Sequence, residues 1–402
     1  MRSRHPGEEA AQALRVPITK PSLGEAEKRA IQRPLETGWV VQGPHVEEFE
    51  RRFGGYIGAE HAVATTSCTT ALHLAVAILD LKPGDEVLVP AFTWVSTANV
   101  VEYMGATPIF CDVDLTSFNV DPARLEEAIG PRTVGMIPVH LFGLCAAMNA
   151  IKEIAERHDL WIVEDAACGF GAWQNGRHAG TFGDIGAFSF HPRKSITTGE
   201  GGMLTTNDAA RAELARTLRE HGGDRSDLAR HETSGSFLLA DFNHLGYNYR
   251  MTDLQGALGC AQMERADELL GERRRLAGRY DKALAGIDWL AIPRVPEGDV
   301  HGYQSYVCLY GENPTMDSHR KLNRARDALM LRLEQRGIAT RQGTHAPVTT
   351  GYYSRKYDLG EDDFPAAVIA ERLSIALPLY PGMSDDEQDL VVRELVSAYQ
   401  VL

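Results

Sequence analysis

From His61 to Thr206 the chain alternates short apolar runs with longer amphipathic ones. The apolar runs are HAVATT, EVLVP, TPIFCDV, TVGMIPVH, WIVEDA, IGAFSF and GGMLTT, each of strand length. Between them, stretches such as TTALHLAVAILD and MNAIKEIAERH place apolar residues at helical spacing. Strands alternating with helices predict an α/β fold, with a mostly parallel seven-stranded sheet flanked by helices on both faces. A polar, charge-rich stretch from Gln255 to Leu284 predicts one continuous helix leading into a smaller α+β unit. That unit carries a strand-like YQSYVCLY, a helix DALMLRLEQRG and a last helix for which Ser384 is the N-cap, followed by acidic residues in the first turn. The expected division is a leader over 1–17, a large domain over 18–270 and a small domain over 271–402, with the second boundary placed to within about ten residues.

Ligands of such sheets bind beyond the carboxyl ends of the strands. Thr66 and Ser67, Pro90 and Ala91, Asp165, and the stretch Phe188 to Lys194 all fall at those ends. The topology alone therefore gathers them on one edge.

Composition narrows the classes. A chain of 402 residues, 44% of them apolar, can bury a substantial core and is long for a single domain. A net charge of −14 opposes a nucleic-acid partner, because a phosphate backbone needs a basic face. No uninterrupted apolar run reaches about 18 residues, so no membrane-spanning helix is expected. The start, MRSRHPGEEAAQALR, has basic residues without an apolar segment behind them, so it reads as a loosely attached leader and not as a secretory signal. The six cysteines form no CxxC or other metal-ligand spacing. Free, mostly buried thiols in a reducing cytoplasm are the expectation, with no metal.

The candidate chemistry sits at Lys194 and Asp165. Lys194 lies in FSFHPRKSITTGEGGML, after an apolar run and before a glycine-rich turn. Alone, a lysine in that position is more often a solvated surface charge. Asp165 closes the apolar strand WIVEDA, where a carboxylate tends to point into a site. A lysine able to hold an aldehyde as a Schiff base, plus a carboxylate able to pair with a protonated pyridine nitrogen, are the two groups a pyridoxal 5′-phosphate (PLP) enzyme needs.

The segments GPHVEEFERRF, SCTTALHLA, VPAFTWVSTANVVEYMGATPIFCDVD, VHLFG, EDAACGFGA, FSFHPRKSITTGEGGM, GYNYRMTDLQGALG and LPLYPGMS follow one another in that order. Together they resemble the DegT/DnrJ/StrS sugar aminotransferases, within the fold-type I PLP enzymes. The resemblance runs from about Ile18 to near the C-terminus. It implies that Lys194 carries the cofactor and moves protons, and that Asp165 keeps the ring nitrogen protonated. It also implies that Trp94 stacks on the ring. Ser67, Cys68, Thr69 and Thr70 then form the phosphate-binding turn with Ser189, and Asn248 reaches the phosphate from a neighbouring subunit of a homodimer with shared sites. Read bare, the turn is equally an ordinary helix cap, and Trp94 is more often a packing residue. Catalysis by an amine suggests a Lys194 pKa drawn down towards neutrality by burial and a cationic cofactor.

The chain departs from the family at Cys168, where glutamine is common and contacts the cofactor's phenolic oxygen; cysteine is a poor hydrogen-bonding substitute. Relatives that are sugar dehydrases carry histidine in place of the lysine, so Lys194 favours amino transfer. The implied donor is L-glutamate or L-glutamine, and the acceptor a keto group on a nucleotide-linked sugar or, alternatively, on a keto-cyclitol. Trp39, His191, Tyr249, Arg250, Gln304 and His345, the last in the run RQGTHAP, are substrate candidates by position, each with a structural alternative. A member that binds PLP without transaminating is disfavoured by the intact pair. A nicotinamide dehydrogenase is rejected, because SCTTAL stands where a G-x-G-x-x-G would be required.

Overall fold

A computed structural model describes residues 15–223 and 241–401. Its centre is a seven-stranded sheet: β1 (His61–Thr65), β2 (Glu86–Pro90), β3 (Thr107–Cys111), β4 (Thr133–Met136), β5 (Trp161–Asp165), β6 (Ile185–Ser189) and β7 (Gly202–Thr206). The order across the sheet is β1-β7-β6-β5-β4-β2-β3. Strands β3, β2, β4, β5 and β6 pair in parallel, whereas β7 runs antiparallel to both β1 and β6. The strands are buried along most of their length, as both-face cover by helices requires. All seven expected strands are present, within two residues at their starts.

Helices α1 (Glu25–Thr37) and α2 (Pro44–Ile57) precede the sheet; α3 (Cys68–Ile78) and α4 (Ser96–Tyr103) connect its first strands. Pro44 opens α2 at the first helical position, where its missing N–H costs nothing. The single helix expected over Gln255–Leu284 is two helices, Asp253–Glu264 and Ala266–Leu284. Arg265 leaves helical geometry at φ −110°, ψ 9°, and its guanidinium is held by Glu27 at 2.9 Å and Glu268 at 2.9 Å. The first of the two is not a polar connector. Its face lies against α2, where a Cβ on Gly256 would come within 2.6 Å of the Val46 nitrogen and one on Gly259 within 2.8 Å of the Phe49 ring. The glycines of QGALG therefore set the crossing distance, and Asp253 accepts a hydrogen bond from the Val46 N–H at 2.9 Å to lock it.

A second, antiparallel sheet pairs Leu290–Ala291, Tyr306–Tyr310 and Ser374–Leu377. Helices His319–Gln335, Pro365–Leu373 and Asp385–Tyr399 pack around it, and the last begins with Ser384 capping the Glu387 N–H, as expected. Three two-residue strands, Trp173–Gln174, Arg177–His178 and Asp299–Val300, tie the two parts of the chain together. One apolar cluster runs from Val63 and Leu72 through Phe92 and Phe142 to Tyr306 and Leu395, so the large sheet and the C-terminal unit share a core. Residues 1–14 of the expected leader lie outside the described residues. Its end is not loose: Val16 is buried and forms a parallel bridge with Ile338. Among the described residues, no helix is long and apolar enough to cross a membrane.

Candidate active site

Several strand ends and two loops converge on one cavity of about 720 Å³. Strand alternation decides which side chains reach it. In FSF, Phe188 and Phe190 turn away into an aromatic cluster with Phe53, at 4.9 and 5.3 Å between ring centres, and Ser189 between them lines the cavity. In VED, Glu164 turns away and Asp165 faces in. Glu164 is fully buried and accepts from His140 Nε2 at 2.8 Å, Gly180 N at 2.7 Å and Gly183 N at 2.7 Å. Those three bonds fix the strand end on which Asp165 sits.

Asp165 is 4% exposed, and burial raises its carboxyl above the ordinary value. Thr97 donates to its Oδ2 at 2.7 Å and the Ala167 N–H to its Oδ1 at 3.2 Å, which oppose that rise. Thr97 was not singled out in the sequence. Its hydroxyl also meets that of Thr93 at 3.0 Å, and its partner Asp165 lies 68 residues away.

The turn after β1 is an N-terminal helix cap. Ser67 Oγ accepts from the Thr70 N–H at 3.2 Å, and Thr70 Oγ1 accepts from the Ser67 N–H at 3.0 Å. Thr70 is thus engaged in the cap and is not on the cavity lining of this chain. Ser67, Cys68 and Thr69 do line it, and among the described residues the amides of Cys68 and Thr69 have no acceptor. Two free N–H groups at a helix start form an anion site. Gly202 makes room for it: a Cβ there would stand 2.3 Å from the Ser67 carbonyl carbon.

Lys194 lines the same cavity, with Nζ 3.1 Å from Cys168 Sγ. Burial pushes its ammonium down, but Cys168, Cys68 and Asp165 outweigh burial and leave it above the ordinary lysine value. The expected downward shift is therefore reversed in the chain by itself. Burial pushes the Cys68 thiol well up, and its Sγ stands 3.9 Å from Asp165 Oδ1. Arg273, also missed in the sequence, is buried with its N–H groups on the carbonyls of Lys194 at 3.3 Å, Gln304 at 3.1 Å and Leu379 at 3.4 Å. Burial lowers it to about 10, still charged at neutral pH, and it clamps the lysine loop to the C-terminal unit.

A test follows from the Lys194–Cys168 contact. Cys168→Ala removes a group that favours the ammonium, so more free amine is present at a given pH. Covalent loading of PLP onto the cofactor-free protein, trapped with borohydride and read by mass, is expected to speed up severalfold near neutrality, with its pH profile moved to lower pH. An unmoved profile removes Cys168 from control of the lysine.

Trp94 is 59% exposed at the cavity, 5.6 Å from the His345 ring. His191, Gln304 and His345 line the cavity too. Trp39, Tyr249, Arg250 and Asn248 do not line the cavity of this chain. Tyr249 stacks on Tyr247 at 5.0 Å and bonds His73 through its hydroxyl at 3.0 Å, so it is a packing residue here. Asn248 is exposed. A buried carboxylate able to accept a ring N–H, free amides for a phosphate, a flat aromatic and an amine suit a phosphorylated pyridine aldehyde in both shape and charge.

The comparisons with known proteins agree. The model of the DegT/DnrJ/EryC1/StrS aminotransferase family matches residues 21–396. The spore coat polysaccharide biosynthesis protein SpsC of Bacillus subtilis is 38% identical over 379 residues, covering 94% of this chain and 95% of that protein. GDP-perosamine synthase of Caulobacter vibrioides is 38% identical over 383 residues, covering 95% and 97%. Among solved structures, the aminotransferase TlmJ of Streptoalloteichus hindustanus superposes with a TM-score of 0.86 at 31% identity, covering 96% of this chain and 99% of that one.

Proposed function

The chain belongs to the DegT/DnrJ/EryC1/StrS aminotransferase family, and from that premise we propose that it moves an amino group from L-glutamate or L-glutamine to the keto group of a nucleotide-linked sugar. It is a PLP-dependent transaminase. The observation that carries the reading is the meeting of Lys194 and Asp165, from two different strand ends, with the free amides of the α3 start in one cavity. The relative named as a GDP-perosamine synthase supports a nucleotide-linked acceptor.

PLP, when bound, supplies an aldehyde and a protonated ring that takes up the electron pair left on the substrate carbon. Lys194 would hold the cofactor covalently and would serve as the base that moves the proton of the substrate carbon. Asp165 accepts the ring N–H and keeps that proton in place. The amides of Cys68 and Thr69, with the hydroxyls of Ser67 and Ser189, take the phosphate, and Trp94 covers the ring. Keto-sugar nucleotides and keto-cyclitols, offered to enzyme preloaded with amino donor, test the acceptor: return of the PLP absorbance with a nucleotide-linked sugar is expected. Return with cyclitols alone overturns the reading.

The same proposal includes a homodimer with shared sites, in which Asn248 serves the partner's cavity. Its own chain leaves Asn248 exposed, and Phe242 and Leu245 on the same segment are 62% and 91% exposed. An apolar surface of that kind suits a subunit contact. Lys194→Ala and Asn248→Ala parents, mixed under conditions that exchange subunits, are expected to regain activity towards half of wild type in mixed dimers. There, one site collects both lesions and the other none. No recovery after demonstrated exchange between two severely impaired parents removes Asn248 from the partner's site.

A further inference from the structure

Two arginines line the cavity without an anionic partner. Arg193 precedes the active lysine, and its position is fixed by backbone bonds: its N–H donates to His191 Nδ1 at 3.2 Å and its carbonyl accepts from Gln304 Nε2 at 2.8 Å. Arg341 enters from the C-terminal unit, where its backbone pairs with Ala376. Both side chains reach the same cavity, both residues are exposed at its mouth, and neither guanidinium has an ion pair or hydrogen bond among the described residues. Elsewhere on this acidic chain, arginines such as Arg52, Arg211 and Arg275 are paired with carboxylates. Among the described residues, the carboxylate on the lining besides Asp165 is Glu200, which interacts with His191. Partial burial and then the charge of Arg341 lower Arg193 below the ordinary arginine value, so the two cations feel each other. Holding two like charges together costs free energy that a dianion returns.

We propose that Arg193 and Arg341 form a diphosphate subsite at the mouth of the cavity, outside the cofactor's own phosphate turn. This rests on the proposed nucleotide-linked acceptor and deepens it. A diphosphate bridge carries two charges and two pairs of non-bridging oxygens, which two guanidinium forks can take in bidentate fashion. A keto-cyclitol offers no charge, and glutamate, which carries two carboxylates, is told apart by the donor half-reaction. The pair therefore selects the nucleotide-linked sugar over a free one, and anchors it by a part that does not react.

Inorganic pyrophosphate is the direct probe, titrated calorimetrically into PLP-loaded enzyme, since it needs no acceptor. Arg193→Gln and Arg341→Gln are each expected to weaken its binding about tenfold, which is about 1.4 kcal/mol, and added salt is expected to weaken wild-type binding. Arg324→Gln, on an exposed helix away from the cavity, is expected to change nothing. With a nucleotide-linked keto-sugar, the same two variants are expected to raise KM about tenfold and leave kcat and the donor half-reaction nearly unchanged. Equal pyrophosphate binding by wild type and both variants overturns the inference even if nucleotide-linked sugars are aminated. Loss concentrated in the donor half-reaction, or in retention of PLP, overturns it too by assigning the pair to a carboxylate or to the cofactor. The acceptor screen judges the proposed function separately: pyrophosphate binding that needs both arginines upholds the subsite whatever that screen returns.

Discussion

Lys194→Ala is expected to lower amino transfer by about 10⁴-fold or more while leaving the protein folded and able to bind PLP without a covalent bond. Positioned proton transfer contributes about 10²–10⁴-fold, and loss of the covalent step adds to it. No rescue is expected nearby, because among the described residues the cavity lining holds no second lysine, and the guanidinium of Arg193 beside it cannot act as a nucleophile. The fold is insulated from the change, since the bond from Arg273 goes to the backbone carbonyl of residue 194, which alanine keeps. Borohydride reduction followed by peptide mapping is expected to place the cofactor mass on the peptide containing Lys194 in wild type and on no peptide in the variant. Turnover near wild type in Lys194→Ala, or cofactor mass on another residue, would sink the central assignment.

Much of this site was legible because it depends on period and order. A strand buried on both faces reads as a short apolar run, and the residue that interrupts such a run at its carboxyl end is the one presented to ligand. Asp165 was singled out in that way, after VE, whereas Ser189, between two phenylalanines, was named only through the family resemblance. What was not legible depends on partners distant in sequence. Thr97 matters because α4 brings it to Asp165, 68 residues away, and Arg273 because a helix from the far side of the chain delivers it to the Lys194 carbonyl. The helix break at Arg265 was hidden because Glu27, which holds it, lies 238 residues earlier. Thr70 and Tyr249 show how local contacts compete for a candidate: within this chain the helix cap takes the hydroxyl of one, and His73 and Tyr247 hold the other.

Asp165→Asn is expected to separate function from stability, moving them in opposite directions. In the cofactor-free protein, burial raises the folded carboxyl above its ordinary value of 3.8, so the native state binds this proton more tightly than the unfolded chain does. Stability drawn from the residue is then full below the unfolded value, is lost as pH rises through the raised folded value, and stays lost at neutral pH. Asparagine has no charge to bury and keeps the local bonds: its amide oxygen can accept from the Ala167 N–H, and its NH₂ can donate to Thr97, whose hydroxyl can turn to the Trp94 carbonyl at 3.1 Å. The cofactor-free variant is therefore expected to melt about one or two degrees higher than wild type at pH 7, and the gap is expected to close as pH falls towards 4. In the loaded enzyme the balance is expected to invert, because under the proposed pairing the same carboxylate faces a cationic ring and holds its proton. Without it, donor-driven conversion of bound PLP to the amino form is expected to slow by about a thousandfold, or about 4 kcal/mol of transition-state stabilisation. Melting curves of the cofactor-free pair across pH and stopped-flow spectra of the loaded pair with glutamate or glutamine provide the two readouts. A variant as fast as wild type denies Asp165 its pairing with the ring. One that is slow and also less stable without cofactor shows instead that the carboxylate, with Thr97 and Ala167, is a structural anchor whose buried charge the fold needs.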